Sequence, residues 1–250
     1  MQIASWNVNS VRTRLDHVLN WLEHSEADLL ALQETKVDDP QFPLEPFLQR
    51  GYQVHIHGQK AYNGVALISR TPLEDVRMGF SAELIDDTEA EDLGAQKRVI
   101  SALIDGVRVV NLYVPNGSSL SSDKYSYKLT WLSCLERYLR AIQTRDEPLC
   151  VMGDFNIGLE ARDLPDPDRL TGGIMASDRE RNALKAALGP DLQDAFRLFE
   201  PNSGHWSWWD YRSGAWDRGR GWRIDHIYLD ETLRGVARSC SIDKQERGRI

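Results

Sequence analysis

Four short segments set polar and acidic side chains where hydrophobic runs stop: Trp6-Asn7-Val8-Asn9, Gln33-Glu34-Thr35-Lys36, Gly153-Asp154-Phe155-Asn156 and Arg223-Ile224-Asp225-His226. In each of the first three, two polar residues lie two positions apart, so on an extended chain they project to one side. Carboxylates, amides and water grouped in this way suit a hard, oxygen-seeking cation such as Mg²⁺. Softer chemistry lacks its donors. None of the six histidines, His17, His24, His55, His57, His205 and His226, forms an H-x-x-x-H or Cys/His metal motif, which argues against zinc hydrolysis. There is no G-x-x-x-x-G-K-[ST] loop and no G-x-S-x-G elbow, and Cys150 has no evident partner to lower its pKa, so P-loop and acyl-enzyme chemistry fall away. Taken singly, each segment fits a turn or a helix cap equally well, because Asp and Asn are common in both.

Hydrophobic patterning indicates which elements position these residues. Ile3 to Asn7 reads as a strand, Leu15, Val18, Leu19 and Leu22 recur at helical spacing, and Asp28 to Gln33 is a short buried strand. This β-α-β order predicts a parallel pair with a crossover helix. Gly64 to Ser69 is a further strand, and Val99–Ile104 and Val107–Val114 flank Asp105-Gly106, a dipeptide suited to a tight hairpin turn. The second half predicts a helix from about Ser126 to Gln143 and a strand from Leu149 to Met152. It then has a capping box at Ser177 and Glu180, ahead of a helix that Gly189-Pro190 stops. Two tryptophan-rich strands, near Trp206–Tyr211 and Trp222–Leu229, follow. Nothing marks a linker or a repeat, so one mixed α/β domain over 1–250 is expected.

Composition agrees with that expectation: 41% hydrophobic residues in 250 can form one large core, and 27% charged residues can solvate it. The N-terminus enters a strand without a signal-like segment, so a cytoplasmic, non-membrane protein is expected. Three cysteines without metal-ligand spacing give neither a disulfide framework nor a zinc site, and Cys150 and Cys240 look like core residues. A net charge of −8 argues against a protein that coats nucleic acid non-specifically. Six acidic residues fall between Glu83 and Asp92, which reads as a solvated loop and leaves Arg12, Arg14, Lys124, Lys128, Arg218, Arg220 and Arg223 as candidates for a local basic face.

Taken together, Trp6–Asn9, Leu32–Lys36, His57-Gly58-Gln59-Lys60, Tyr113-Val114-Pro115-Asn116, Gly153–Asn156, Trp208–Arg212 and Gly221-Trp222-Arg223-Ile224-Asp225 resemble the motifs of the exonuclease III and AP endonuclease family, in that family's order along nearly the whole chain. The resemblance implies a four-layer α/β sandwich of the DNase I-like type, with two packed mixed sheets flanked by helices. It also implies a DNA-repair nuclease that uses Mg²⁺, or Mn²⁺ in its place, on double-stranded DNA at abasic sites or 3′ ends; a monomer is expected, although nothing in the sequence specifies the oligomeric state. Carried over by position, Glu34 would bind the metal and Asn7 support it. Asp154 would orient or deprotonate the attacking water beside the Asn156 amide, and Tyr113 would stand near the scissile phosphate. Asn116 and Lys36 would contact DNA, and Asp225 would support a histidine. Trp208, Trp222 and Ile224 match positions forming an apolar pocket for a flipped-out abasic sugar, with Arg218 and Arg220 suited to backbone phosphates. Arg223 fits either a phosphate contact or a structural ion pair. Trp206 and Trp209 fit a core.

The family continues into a P-S-D-H-x-P segment, whereas this sequence ends at Gly248-Arg249-Ile250. The expectation is therefore a chain lacking the final strand and catalytic Asp-His pair, with an incomplete sequence, a shortened protein and completion by a partner all open. Asp225-His226 does not substitute, since adjacent strand residues face opposite ways. Two other functions stay open at this stage: a catalytically silent DNA-binding module, and a phosphodiesterase of the same superfamily acting on another substrate.

Overall fold

In the computed structural model, residues 1–211 and 214–248 are described; Arg212 of the Trp208–Arg212 motif, and Arg249 and Ile250 at the chain end, lie outside the described residues. The chain divides into two compact units, Met1–Tyr113 with Arg137–Asp154, and Val114–Glu136 with Phe155–Ile250.

The first unit carries β1 (Ile3–Asn7), α1 (Leu15–His24), β2 (Leu29–Gln33), α2 (Glu45–Leu48), β3 (Gln53–His57), β4 (Val65–Ser69), β5 (Glu74–Met78), α3 (Thr88–Gly94), β6 (Val99–Ile104), β7 (Val107–Tyr113), the C-terminal part of α4 (Asp123–Gln143) and β8 (Leu149–Asp154). One sheet has the order β1-β2-β4-β3, with β1 and β2 parallel and the other pairs antiparallel. Strands β5-β6-β7-β8 form another ladder, parallel only between β7 and β8. Both are mixed, and the β1-α1-β2 crossover is as expected. The runs Leu29–Gln33 and Val65–Ser69 are buried at every position, which requires cover on both faces. Val18, Leu19 and Leu22 of α1 pack with Leu30, Leu32, Phe42, Phe47 and Ile68 on one side, and β7 and β8 lie against β2 on the other.

A polar bolt crosses that apolar interior. Asn111, in the middle of β7, donates from Nδ2 to the carbonyls of Leu32 and Ala66, each at 3.0 Å. Gln33 Nε2 donates to Asn111 Oδ1 at 2.7 Å and to Ser5 Oγ at 3.0 Å. Gln33 Oε1 is buried without a hydrogen-bond partner among the described residues, but the bonded donors fix one arrangement, because any slip of the strands would leave them unpaired as well in a dry interior. The bolt lies one residue before Glu34 and two before Tyr113, so it sets the strand ends that carry them.

The second unit carries the N-terminal part of α4, then α5 (Pro167–Leu170), α6 (Asp178–Leu188), β9 (Gln193–Asp194), α7 (Ala195–Phe199), β10 (Asp225–Leu229), α8 (Glu231–Val236) and α9 (Gln245–Gly248). Helix α6 begins at the expected capping box, with Ser177 and Glu180 each accepting from the other's backbone N–H. Strands β9 and β10 pair antiparallel. Beside them, Arg223 is 1% exposed and bonds Asp163 at 2.8 Å and Asp194 at 2.5 Å. Of the two roles open for Arg223, the structural ion pair is the one observed.

Several expectations are corrected. The acidic stretch is partly helical: Asp87 caps α3 by accepting from Ala90 N–H, and Glu83 is buried between Arg77 and Arg145. Trp206–Tyr211 is no strand, since its only regular pairing among the described residues is the isolated bridge Trp208↔Trp222, and β10 starts three residues after Trp222. Aromatic propensity misled here, because the indoles pack on one another instead of along a ladder. Cys240 is only half-buried, whereas Cys134 and Cys150 are buried. Lys128 and Arg223 leave the candidate basic face, both being buried in ion pairs. Among the described residues no helix is long and apolar enough to cross a membrane.

Candidate active site

In the first unit the ends of β1, β2, β7 and β8 deliver Asn7, Glu34, Tyr113 and Asp154. Asn7 is the hub. Its Nδ2 donates to Glu34 Oε1 and to Asp154 Oδ2, both at 2.8 Å, while its Oδ1 accepts from the Asn9 backbone N–H at 3.0 Å. One amide therefore holds two carboxylates side by side, a pair that would otherwise repel. Lys36 places its ammonium 2.8 Å from Glu34 Oε2 and donates to Asn9 Oδ1 as well.

The route to this convergence differs from the extended chain expected. Glu34 has φ +51°, Lys36 +54° and Asn9 +45°, all in the left-handed region, so the chain turns tightly after β1 and β2 instead of running on. Glutamate and lysine adopt that region at a cost, and such strain collects where side chains must be aimed. Gly153 serves β8 differently: at φ +145° it passes so close to β7 that a Cβ would stand 1.9 Å from the Leu112 carbonyl oxygen. Only glycine lets β8 approach there and bring Asp154, 4% exposed, to the Asn7 amide.

The Tyr113 phenol is pushed well above the ordinary tyrosine range, by burial first and then by the charges of Glu34 and Asp154. Arg98 acts in the opposite direction, its guanidinium 4.7 Å from the Tyr113 ring centroid and its Nη1 donating to the Tyr113 carbonyl at 3.2 Å. Near neutral pH the phenol is a hydrogen-bond donor.

The second unit holds an amide pair. Asn116 Nδ2 donates to Asn156 Oδ1 at 2.9 Å, and Asn156 Nδ2 donates to the Val114 carbonyl at 2.9 Å. Asn156 is buried with φ +50°, and Asn116 is exposed. Trp208 and Trp222 exchange both backbone hydrogen bonds, at 2.9 and 2.7 Å, so their side chains lie on one face, and both are half-exposed. Trp206 and Trp209 lie in a small core with Ala215, as expected. Ile224 is buried at 2%, and its N–H and that of Asp225 donate to Ser207 Oγ. Asp225 is half-buried while His226 is buried with Nε2 against the Ile157 carbonyl at 2.9 Å, so the two face opposite ways. Arg218 and Arg220 are exposed, Arg220 lying 3.6 Å from Asp166.

Among the described residues no three His, Cys, Asp or Glu side chains gather into a cluster that could hold a metal. What the first unit offers is a pair of carboxylates, Glu34 and Asp154, bridged by the Asn7 amide donor. Sequence reasoning missed three supporting groups: the Asn111–Gln33 bolt, Arg98 over Tyr113, and Lys128 with Glu180 behind the amide pair. Only the last left a signal, the capping box at Ser177 and Glu180.

Residues 4–247 match the model of the endonuclease/exonuclease/phosphatase family. An exodeoxyribonuclease III of Haemophilus influenzae is 34% identical over 245 residues, covering 93% of this chain and 89% of that protein. A solved 3′ phosphatase from Neisseria, bound to a product DNA hairpin, superposes with a TM-score of 0.92 at 37% identity, covering 99% of this chain and 93% of that one. An AP endonuclease from Archaeoglobus fulgidus does so with a TM-score of 0.89 at 37% identity and the same coverage. Fold and sequence motifs thus match over the same span.

Proposed function

The chain belongs to the endonuclease/exonuclease/phosphatase family, in the branch of exonuclease III and the AP endonucleases, with that branch's packed mixed sheets and flanking helices, and on that premise we propose that it is a divalent-metal-dependent DNA-repair nuclease. It hydrolyses phosphodiester bonds of duplex DNA at abasic sites, at 3′ ends or at both. The single observation that carries the reading is the Asn7 amide holding Glu34 and Asp154 within hydrogen-bond reach of one atom.

The donor set fits a hard cation. Glu34 and Asp154 are the ligand types that Mg²⁺ or Mn²⁺ takes, Asn7 supports the pair through its amide donor, and Glu34 already attracts the Lys36 ammonium at 2.8 Å. Such an ion, when bound, supplies charge neutralisation at the phosphate. Asp154 would orient the attacking water and take its proton, held for that task by Asn7. Tyr113, kept protonated, would donate to a phosphate oxygen. Asn116 and Asn156 would supply amide contacts to the phosphate, Lys36, Arg218 and Arg220 would meet the backbone, and Asp225 would support an acid/base partner. Trp208 and Trp222 present an apolar face suited to a nucleotide without its base, whose extrusion costs least. The reading includes one domain acting as a monomer in the cytoplasm.

The test is a purified-protein assay on labelled duplexes carrying an abasic site, a recessed 3′ end or a 3′ phosphate, with Mg²⁺ or with EDTA. Product is expected only with the metal, and is lost in Glu34→Gln. Trp222→Ala should lower abasic-site incision by about tenfold more than 3′-end removal, since burying roughly 60 Å² of apolar surface between the indole and a baseless sugar is worth about 1.5 kcal/mol at ~25 cal/mol per Å². Tight retention on abasic DNA with no product under any divalent metal would refute the nuclease and leave a binding module.

A further inference from the structure

A buried lysine in the second unit has no place in the chemistry described so far. Lys128, on α4, is wholly buried, as is its partner Glu180, and the ammonium lies 2.5 Å from Glu180 Oε2. It also donates to two backbone carbonyls, Asn156 O at 2.9 Å and Asn116 O at 3.3 Å. These are the two residues whose side-chain amides pair with each other. We infer that Lys128 is a positioning residue, which sets the amide pair by gripping both of its backbones from behind.

The surroundings are built for that grip. Asn156 stands at φ +50° and Gly117, next to Asn116, at φ +91°, so both turns are held away from the commonest backbone conformations. A Cβ on Gly117 would meet Ile174 Cδ1 at 3.1 Å and Lys128 Cδ at 3.3 Å, so glycine brings this loop down onto the lysine stem. From the other side, Glu180 is fixed by the capping box. Its Oε1 accepts from Ser177 N–H at 2.9 Å and Ser177 Oγ at 2.8 Å, and the Tyr125 hydroxyl meets Ser177 Oγ at 2.6 Å. Glu180 thus caps α6 with one oxygen and anchors Lys128 with the other. A buried pair of this kind adds little stability over an apolar pair of equal size, but it specifies one arrangement where its spare donors have partners. Here those partners are the carbonyls of Asn116 and Asn156.

The kinetic consequence rests on the nuclease reading, while the positioning does not, and the experiment separates them. Lys128→Met alone leaves Glu180 charged and buried and is at risk of misfolding; Lys128→Met/Glu180→Gln removes both charges and keeps the capping oxygen. For wild type and the double variant, thermal unfolding, the side-chain NH₂ resonances of Asn116 and Asn156, and steady-state kinetics on abasic duplex DNA with Mg²⁺ are measured. The double variant should fold, its two amides should lose their dispersed, slowly exchanging signals, and kcat should fall by about 100-fold with KM changed by less than about threefold. A folded double variant with unchanged amide signals, or with loosened amides and wild-type kcat, overturns the role assigned to Lys128. If wild type cleaves no DNA at all, the nuclease reading falls, and the amide signals alone decide whether Lys128 positions them.

Discussion

Replacing Asn7 by alanine tests whether the two carboxylates form one cation site. Glu34 Oε1 and Asp154 Oδ2 each lie 2.8 Å from Asn7 Nδ2 and so are at most about 5.6 Å apart, where two unit charges repel by about 3 kcal/mol at an effective dielectric constant of about 20. Lys36, 2.8 Å from Glu34, offsets part of this, leaving about 2 kcal/mol for the amide to counter. In a chain of this length that corresponds to a fall of about 4–8 °C in Tm. The fall should appear in EDTA and shrink below about 2 °C in saturating Mg²⁺, because a cation bound between the carboxylates replaces the lost donor and stabilises the folded state by mass action. On abasic duplex DNA, kcat/KM should drop about 100-fold, since the carboxylate proposed to handle the water loses its anchor. Differential scanning fluorimetry with and without metal, with the cleavage assay, reads both. A Tm loss of the same size in EDTA and Mg²⁺ would show that no cation binds between Glu34 and Asp154, and kcat/KM within threefold of wild type would remove Asn7 from the machinery.

Two further outcomes concern pH and stability. His57 is 8% exposed and its pKa is lowered from 6.5 to about 4, by burial and then by Lys97, so folding favours the neutral ring. Its contribution is fully present above pH ~6.5 and fades toward pH ~4, by up to about 3 kcal/mol, so urea midpoints measured across that window should fall in wild type and flatten in His57→Phe. Arg223→Met removes the buried cation that Asp163 and Asp194 share, leaving Asp163 to Arg197 and Asp194 to His226, and should cost about 3 kcal/mol at neutral pH. Burial works against both charges, but His226 and Arg223 beside Asp194, and Arg223 beside Asp163, hold the two carboxyls below the usual range. Wild type should therefore lose this contribution only as acid carries the pH below the ordinary carboxylate value, and circular dichroism against pH should show the variant without that late step.

What could be read from the sequence divides along a physical line. Hydrophobic runs specify β2, β4, the β6–β7 hairpin and β8, because burying both faces of a strand demands nearly unbroken apolar composition, whereas β1 is half-buried along its length. The polar residues where those runs stop could be singled out for the same reason. Their geometry could not be, because left-handed φ at Glu34 and Lys36 has no compositional signature; neither residue favours that conformation, and only tertiary contacts impose it. Asn111 reads as an ordinary strand residue, and Lys128 as a solvated helix position. In each case the residue is explained by carbonyls far away in sequence, Leu32 and Ala66 for the one and Asn156 for the other. The same holds for Trp206–Tyr211, where aromatic content predicts a strand but the indoles find better partners in one another. Groups expected to meet substrate could thus be located by where hydrophobicity ends, whereas groups that aim them are buried polar residues satisfied by backbone. A search for positioning residues in such a fold should start from buried cations and amides bonded to the carbonyls of site residues. Lys128 meets that criterion through two candidate-site residues at once.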